Sequence, residues 1–161
     1  MGKYKILVVD DEKSMREFLS IMLKREGYSV EAFPSGEAAL EYFKLNTCDL
    51  VMADMKMPGM GGLKLLKAVK DINPDVTVIM ITAYASVDSA VEAMKSGAYD
   101  YFIKPFNVED IKIHIKRALE WKRLEKENIL LKKDFESRYG FGNLIGGSPR
   151  MLEVYAFIKS I

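Results

Sequence analysis

Five short runs of apolar or alternating residues, separated by segments of helical periodicity, constrain this chain more than any other feature. The runs occupy residues 4–9, 28–33, 49–53, 76–81 and 99–103. Between the first two, Met15, Phe18, Leu19, Met22 and Leu23 recur at helical spacing until Gly27 stops them. Ser35-Gly36-Glu37 opens a second helical segment carrying Ala38, Ala39, Leu40 and Phe43. Leu63, Leu65, Leu66, Val69 and Ile72 form a third, broken at Asn73-Pro74, and a fourth runs from about Val87 to Lys95 before Gly97. Strand and helix alternate every 20–25 residues or so, which predicts parallel strands joined by right-handed crossovers with helices on both faces. The third and fourth runs are almost wholly apolar, as central strands covered on both faces must be. The expected fold is a doubly wound, five-stranded parallel α/β sheet of flavodoxin-like order 2-1-3-4-5.

Open sheets of this kind place their ligands at the carboxyl ends of the strands. There the first run meets Asp10-Asp11, the third Asp54, the fourth Thr82 and the fifth Lys104-Pro105. In the order 2-1-3-4-5 the first and third strands are neighbours, so three carboxylates share one rim with a hydroxyl and an ammonium. Like charges this close repel, and a hard divalent ion such as Mg²⁺ relieves them. Singly, Asp11 also suits a helix N-cap, Thr82 a cap for the next segment, and Lys104 a surface charge. Those separate roles leave unexplained why four strand ends are polar and chemically complementary.

Together, Asp10-Asp11, Asp54, Thr82 and Lys104-Pro105 resemble the signature of response-regulator receiver domains of two-component signalling, over about residues 4–122. The resemblance implies that Asp54 accepts a phosphoryl group from a sensor histidine kinase. It implies Mg²⁺ on Asp11, Asp54 and the backbone carbonyl of Lys56, with Asp10 assisting through water. Thr82 would bind the phosphoryl group, Lys104 would pair with Asp54 or its phosphate, and Tyr101 would act with Thr82 as the switch. Lys56 and Tyr84 resemble positions that tune acyl-phosphate lifetime, and the family resemblance favours a cis Lys104-Pro105 bond. Beyond its own phosphorylation and dephosphorylation, no enzymatic activity is expected. A phosphohydrolase with an aspartyl-phosphate intermediate is the main alternative, but its D-x-D spacing is missing from Asp10-Asp11-Glu12. A flavin-binding protein fits less well, because the acidic rim would repel the cofactor's phosphate.

After Asn107 nothing breaks a helix before Gly140. Trp121, Leu124, Asn128, Leu131 and Phe135 alternate by three and four, the a/d seam of a coiled coil, and Asn128 at an a position favours a defined register. A homodimer through this helix is expected, with a fold-back onto another domain as the alternative. Residues 143–151 resemble the start of the AAA+ ATPase domain of sigma-54-dependent activators of the NtrC/DctD kind. The expected partition is therefore a receiver over 1–122, a linker helix over 123–140 and the start of a truncated ATPase domain over 141–161. The chain has no G-x-x-x-x-G-K-[ST], so ATPase activity is not expected from it. In the intact protein the partners would be that ATPase domain and sigma-54 RNA polymerase.

Charge is unevenly spread. Residues 1–111 carry 13 basic and 17 acidic side chains, whereas residues 112–138 carry 9 basic and 5 acidic. A solvated helix face accounts for the basic arm, and direct DNA binding is not expected without a helix-turn-helix. One cysteine, Cys48, rules out an internal disulfide framework, and no apolar run is long enough to span a bilayer. A cytoplasmic protein without membrane contact is expected.

Overall fold

The computed structural model describes residues 4–83 and 86–139, with side chains as far as Phe135. Tyr84 and the expected ATPase-domain start lie outside the described residues. Ten elements follow one another: β1 (Lys5–Val9), α1 (Lys13–Arg25), β2 (Ser29–Phe33), α2 (Gly36–Leu45), β3 (Leu50–Asp54), α3 (Gly62–Ile72), β4 (Thr77–Thr82), α4 (Val87–Lys95), β5 (Asp100–Ile103) and α5 (Val108–Tyr139). The strands are all parallel in the order β2-β1-β3-β4-β5, as expected.

The period of two along each strand divides the sheet into two cores. Leu7, Val9, Val51, Ala53, Val78 and Met80 face one way and pack with Ala39 and Phe43 of α2, Leu65, Leu66 and Val69 of α3, and Ala93 of α4. Ile6, Val8, Leu50, Met52, Ile79 and Ile81 face the other way, onto Leu19 and Leu23 of α1 and Ile111, Ile115 and Leu119 of α5. Every residue of β3 is buried, and so is β4 from Val78 onward. Burial on both faces explains the near-continuous apolar sequence of these strands.

Local chemistry ends the helices where the sequence marks them. Ser35 Oγ accepts from the Ala38 amide at the start of α2, and Asn107 Oδ1 accepts from the Glu109 and Asp110 amides at the start of α5. The N-cap of α1 is Glu12, without a side-chain cap, so Asp11 is not used there. Strand limits differ from the expected ones by a residue. Asp54 belongs to β3, because it pairs with Ile81 of β4. Tyr99 stands outside β5, although its amide donates to Val78 O at 2.7 Å.

The chain divides into two units, residues 1–119 and 120–161. In the second, Trp121, Leu124 and Leu131 are exposed, while Asn128 and Phe135 are half-buried. Among the described residues no helix is long and apolar enough to cross a membrane.

Candidate functional site

All four candidate strand ends arrive at one rim of the sheet. Asp10 directly follows β1, Asp54 and Thr82 close β3 and β4, and Lys104 directly follows β5. Thr82 is fully buried, Asp10 is 2% exposed and Asp54 9%. Buried acids at the edge of a sheet require partners, and Lys104 supplies them. Its Nζ lies 3.0 Å from Asp10 Oδ2 and 3.3 Å from Asp54 Oδ2. Lys104 is thus no free surface charge, since 88% of its side chain is covered, being 12% exposed.

Backbone groups hold the rest. Glu12 N–H donates to Asp10 Oδ1 at 2.9 Å, and Arg16 reaches the Asp10 carbonyl at 2.8 Å. Lys56 N–H donates to Asp54 Oδ1 at 3.3 Å, while the Lys104 amide donates to Thr82 O at 2.7 Å. The Lys104-Pro105 peptide is cis. Gly62 lets α3 start against β3, because a Cβ there would lie 2.2 Å from Asp54 O.

The electrostatics are those of a largely buried rim holding more carboxylates than cations. Burial first, and then the Asp10 carboxylate, push the Asp54 carboxyl above its ordinary pKa, with Lys104 and the Lys56 amide pulling the other way. Burial works against the Lys104 ammonium, but its contacts with Asp10 and then Asp54 outweigh it and raise its pKa. One oxygen each of Asp10, Asp11 and Asp54 lies within 4.8 Å of the others. Exposed Asp11 also borders an open depression shared with Met55, Lys56, Met57 and Pro58. A set of carboxylates open to water on one side is the donor chemistry of a hard divalent cation. The residues fit Mg²⁺.

Tyr101 stands half-buried against the core on the α2, α3 and α4 side. Its hydroxyl lies 3.1 Å from Ser89 Oγ in α4, a contact that sequence reasoning missed. Ser89 is also one arm of the capping box that starts α4: Ser86 Oγ accepts from the Ser89 amide, and Ser89 Oγ accepts from the Ser86 amide. Ser89 Oγ also donates its one proton to the Ser86 carbonyl at 3.1 Å, so with that bond made the Tyr101 hydroxyl is the donor in their contact. Ser89→Ala is expected to loosen the first turn of α4 by about 1 kcal/mol, read as faster amide exchange there than in α3.

Comparison with known proteins identifies the family of the chain. Residues 6–116 match the family model for the response regulator receiver domain. The chain is 35% identical over 150 residues to the regulatory protein AtoC of Escherichia coli K12, covering 93% of this chain and 32% of AtoC. It is 36% identical over 163 residues to the DNA-binding transcriptional regulator NtrC of Proteus hauseri, covering 98% of this chain and 33% of NtrC. The chain therefore spans about a third of the length of these curated relatives. Among solved structures, a CheY-like receiver domain from Methanospirillum hungatei superposes with a TM-score of 0.75 at 31% identity, covering 77% of this chain and 99% of that one. NtrX from Brucella abortus gives 0.73 at 33% identity, covering 78% of this chain and 29% of NtrX. Family match, fold and the shared rim of strand ends lead to one conclusion: the chain belongs to the response regulator receiver domain family of two-component signalling.

Proposed function

We propose that this receiver takes a phosphoryl group from a sensor histidine kinase onto Asp54 and passes the change to an output domain. The observation that carries the reading is the Lys104 ammonium lying 3.0 Å from Asp10 and 3.3 Å from Asp54 beside the exposed carboxylate of Asp11. One Asp54 oxygen attacks phosphorus, the new O–P bond forms as the donor's bond to phosphorus breaks, and the donor leaves with that electron pair. Attack requires the carboxylate form, and Lys104 favours it by opposing the burial that raises the Asp54 pKa. Lys104 then faces the transferred group, and the Thr82 hydroxyl is the donor that closes on it. Bound by Asp11, Asp54 and the Lys56 carbonyl, with Asp10 reaching it through water, Mg²⁺ would supply positive charge for the phosphoryl oxygens. A new dianion that draws Thr82 inward competes with the Ser89–Tyr101 contact and so reaches the face made by α4, β5 and α5.

The domain partition at 122 and 140 belongs to the same proposal. Exposed Trp121, Leu124 and Leu131 support pairing of two copies through the linker helix, with Asn128 setting register and Phe135 completing the seam. Leu124→Asp combined with Leu131→Asp is expected to convert dimer to monomer in light scattering, with the receiver still folded. In the intact protein the output would be a sigma-54-activating AAA+ ATPase, the receiver itself binding no DNA and turning over no substrate. The reading is tested by incubation with a small phosphodonor and Mg²⁺, followed by peptide mapping. One acid-stable, base-labile phosphoryl group on Asp54 is expected; stoichiometric labelling elsewhere would overturn it, and multiple turnover of a phosphomonoester would favour the hydrolase.

A further inference from the structure

The loop between β3 and α3 carries the Lys56 carbonyl, and its middle is held from outside the loop by α2. The beginning is tied to the site by the Lys56 amide on Asp54 Oδ1, and the end by the Gly62 amide on Met55 O at 3.0 Å. Between these ties, the Met60 amide donates to the carboxylate of Glu37, in the first turn of α2 and 23 residues away in sequence. The surrounding packing fits this contact closely. Gly59 has φ +77°, and a Cβ there would lie 2.7 Å from Glu37 Oε1. Gly36, beside Glu37, is buried, and a Cβ there would meet the Met60 carbonyl at 3.0 Å and the Met60 side chain at 3.1–3.2 Å. Two glycines therefore bring the start of α2 and the loop together, and one carboxylate joins them.

We propose that Glu37 is a positioning residue for the reaction at Asp54, holding the β3–α3 loop so that the Lys56 carbonyl stays available to the cation. The inference rests on the proposed use of Mg²⁺ at this rim. Glu37 acts as a hydrogen-bond acceptor here, not as a ligand. A carboxylate accepting a backbone amide makes a stronger bond than a neutral pair, and the groups that orient ligands from outside typically change metal affinity by about 10- to 100-fold when removed.

The test uses the full chain with Mg²⁺ alone, without a phosphodonor. Calorimetry gives Mg²⁺ affinity, amide exchange reports Met60, and urea unfolding reports global stability, for the wild type, Glu37→Ala and Glu37→Gln. Glu37→Ala is expected to weaken Mg²⁺ about tenfold and to speed Met60 exchange, with global stability nearly unchanged. Glu37→Gln keeps an acceptor oxygen and is expected to restore most of both. Wild-type affinity in Glu37→Ala overturns the positioning role, whatever Met60 does. Equal weakening in the Gln and Ala variants also overturns it, because the charge and not the held loop would then be responsible. A wild type that binds no Mg²⁺ overturns this inference together with the proposed metal site, and phosphoryl labelling of Asp54 in that same protein would leave the phosphoacceptor reading standing.

Discussion

Lys104→Met is expected to lower the stability of the Mg²⁺-free protein at neutral pH by about 2 kcal/mol, seen as a lower urea midpoint at unchanged slope. The substitution keeps much of the side chain's length and removes only the cation. Asp10 and Asp54, buried to 2% and 9% exposure, then face each other without a counter-charge. Breaking a buried ion pair costs about 3–5 kcal/mol, and the open side of the rim reduces that here. Loss of Lys104 also removes its pull on the Asp54 carboxyl, so burial and the Asp10 charge raise that pKa further. Stability of the variant consequently recovers on acidification, as Asp54 takes up a proton. Phosphoryl labelling is expected to fall by about 10²–10³-fold, the usual cost of one preorganised charge at a developing anion. Unchanged stability and unchanged labelling would leave Lys104 without its proposed role.

Asp54→Asn separates chemistry from stability, because the two move in opposite directions. Labelling is expected to vanish, since an amide is no nucleophile toward phosphorus at neutral pH. The Mg²⁺-free protein is expected to become more stable. Asp54 has a folded pKa above its ordinary value, so the folded state holds more protons than the unfolded chain in the window between the two. Stability contributed by this residue therefore falls as pH rises from the ordinary carboxylate pKa through the raised one, and the penalty is complete above it. Asparagine removes that penalty: the gain over wild type is absent at the acidic end, grows across the window and is full at neutral pH. Thermal melts in chelator across that range check the sign. A variant less stable than wild type at neutral pH would mean that the Lys104 contact outweighs burial.

The architecture was legible because a near-continuous apolar sequence and burial on both faces say the same thing in β3 and β4. Asp54, Thr82 and Lys104 could be placed at one rim because parallel strands end on the same side, and strand order makes β1 and β3 neighbours. Ser89 and Glu37 were not found. Ser89 meets Tyr101 across 12 residues and Glu37 meets Met60 across 23, and no local spacing encodes either pairing. Only Gly36 and Gly59-Met60 hinted at a close approach, and a glycine in a loop has many other uses. The single-residue shift at Asp54 comes from pairing with Ile81 of the adjacent strand, which a one-dimensional pattern cannot hold.

Parallel strands also leave the sheet with two unequal ends. The candidate site lies at the carboxyl rim, and the connections from helix to the next strand lie at the opposite one. There the α2–β3 connection includes Leu45, 84% exposed, together with exposed Asn46 and Thr47. An optical reporter or an affinity handle spliced after Asn46 would therefore sit at the pole away from the reacting carboxylate. This receiver can be tagged within its own sequence, leaving both termini free for whatever precedes or follows it.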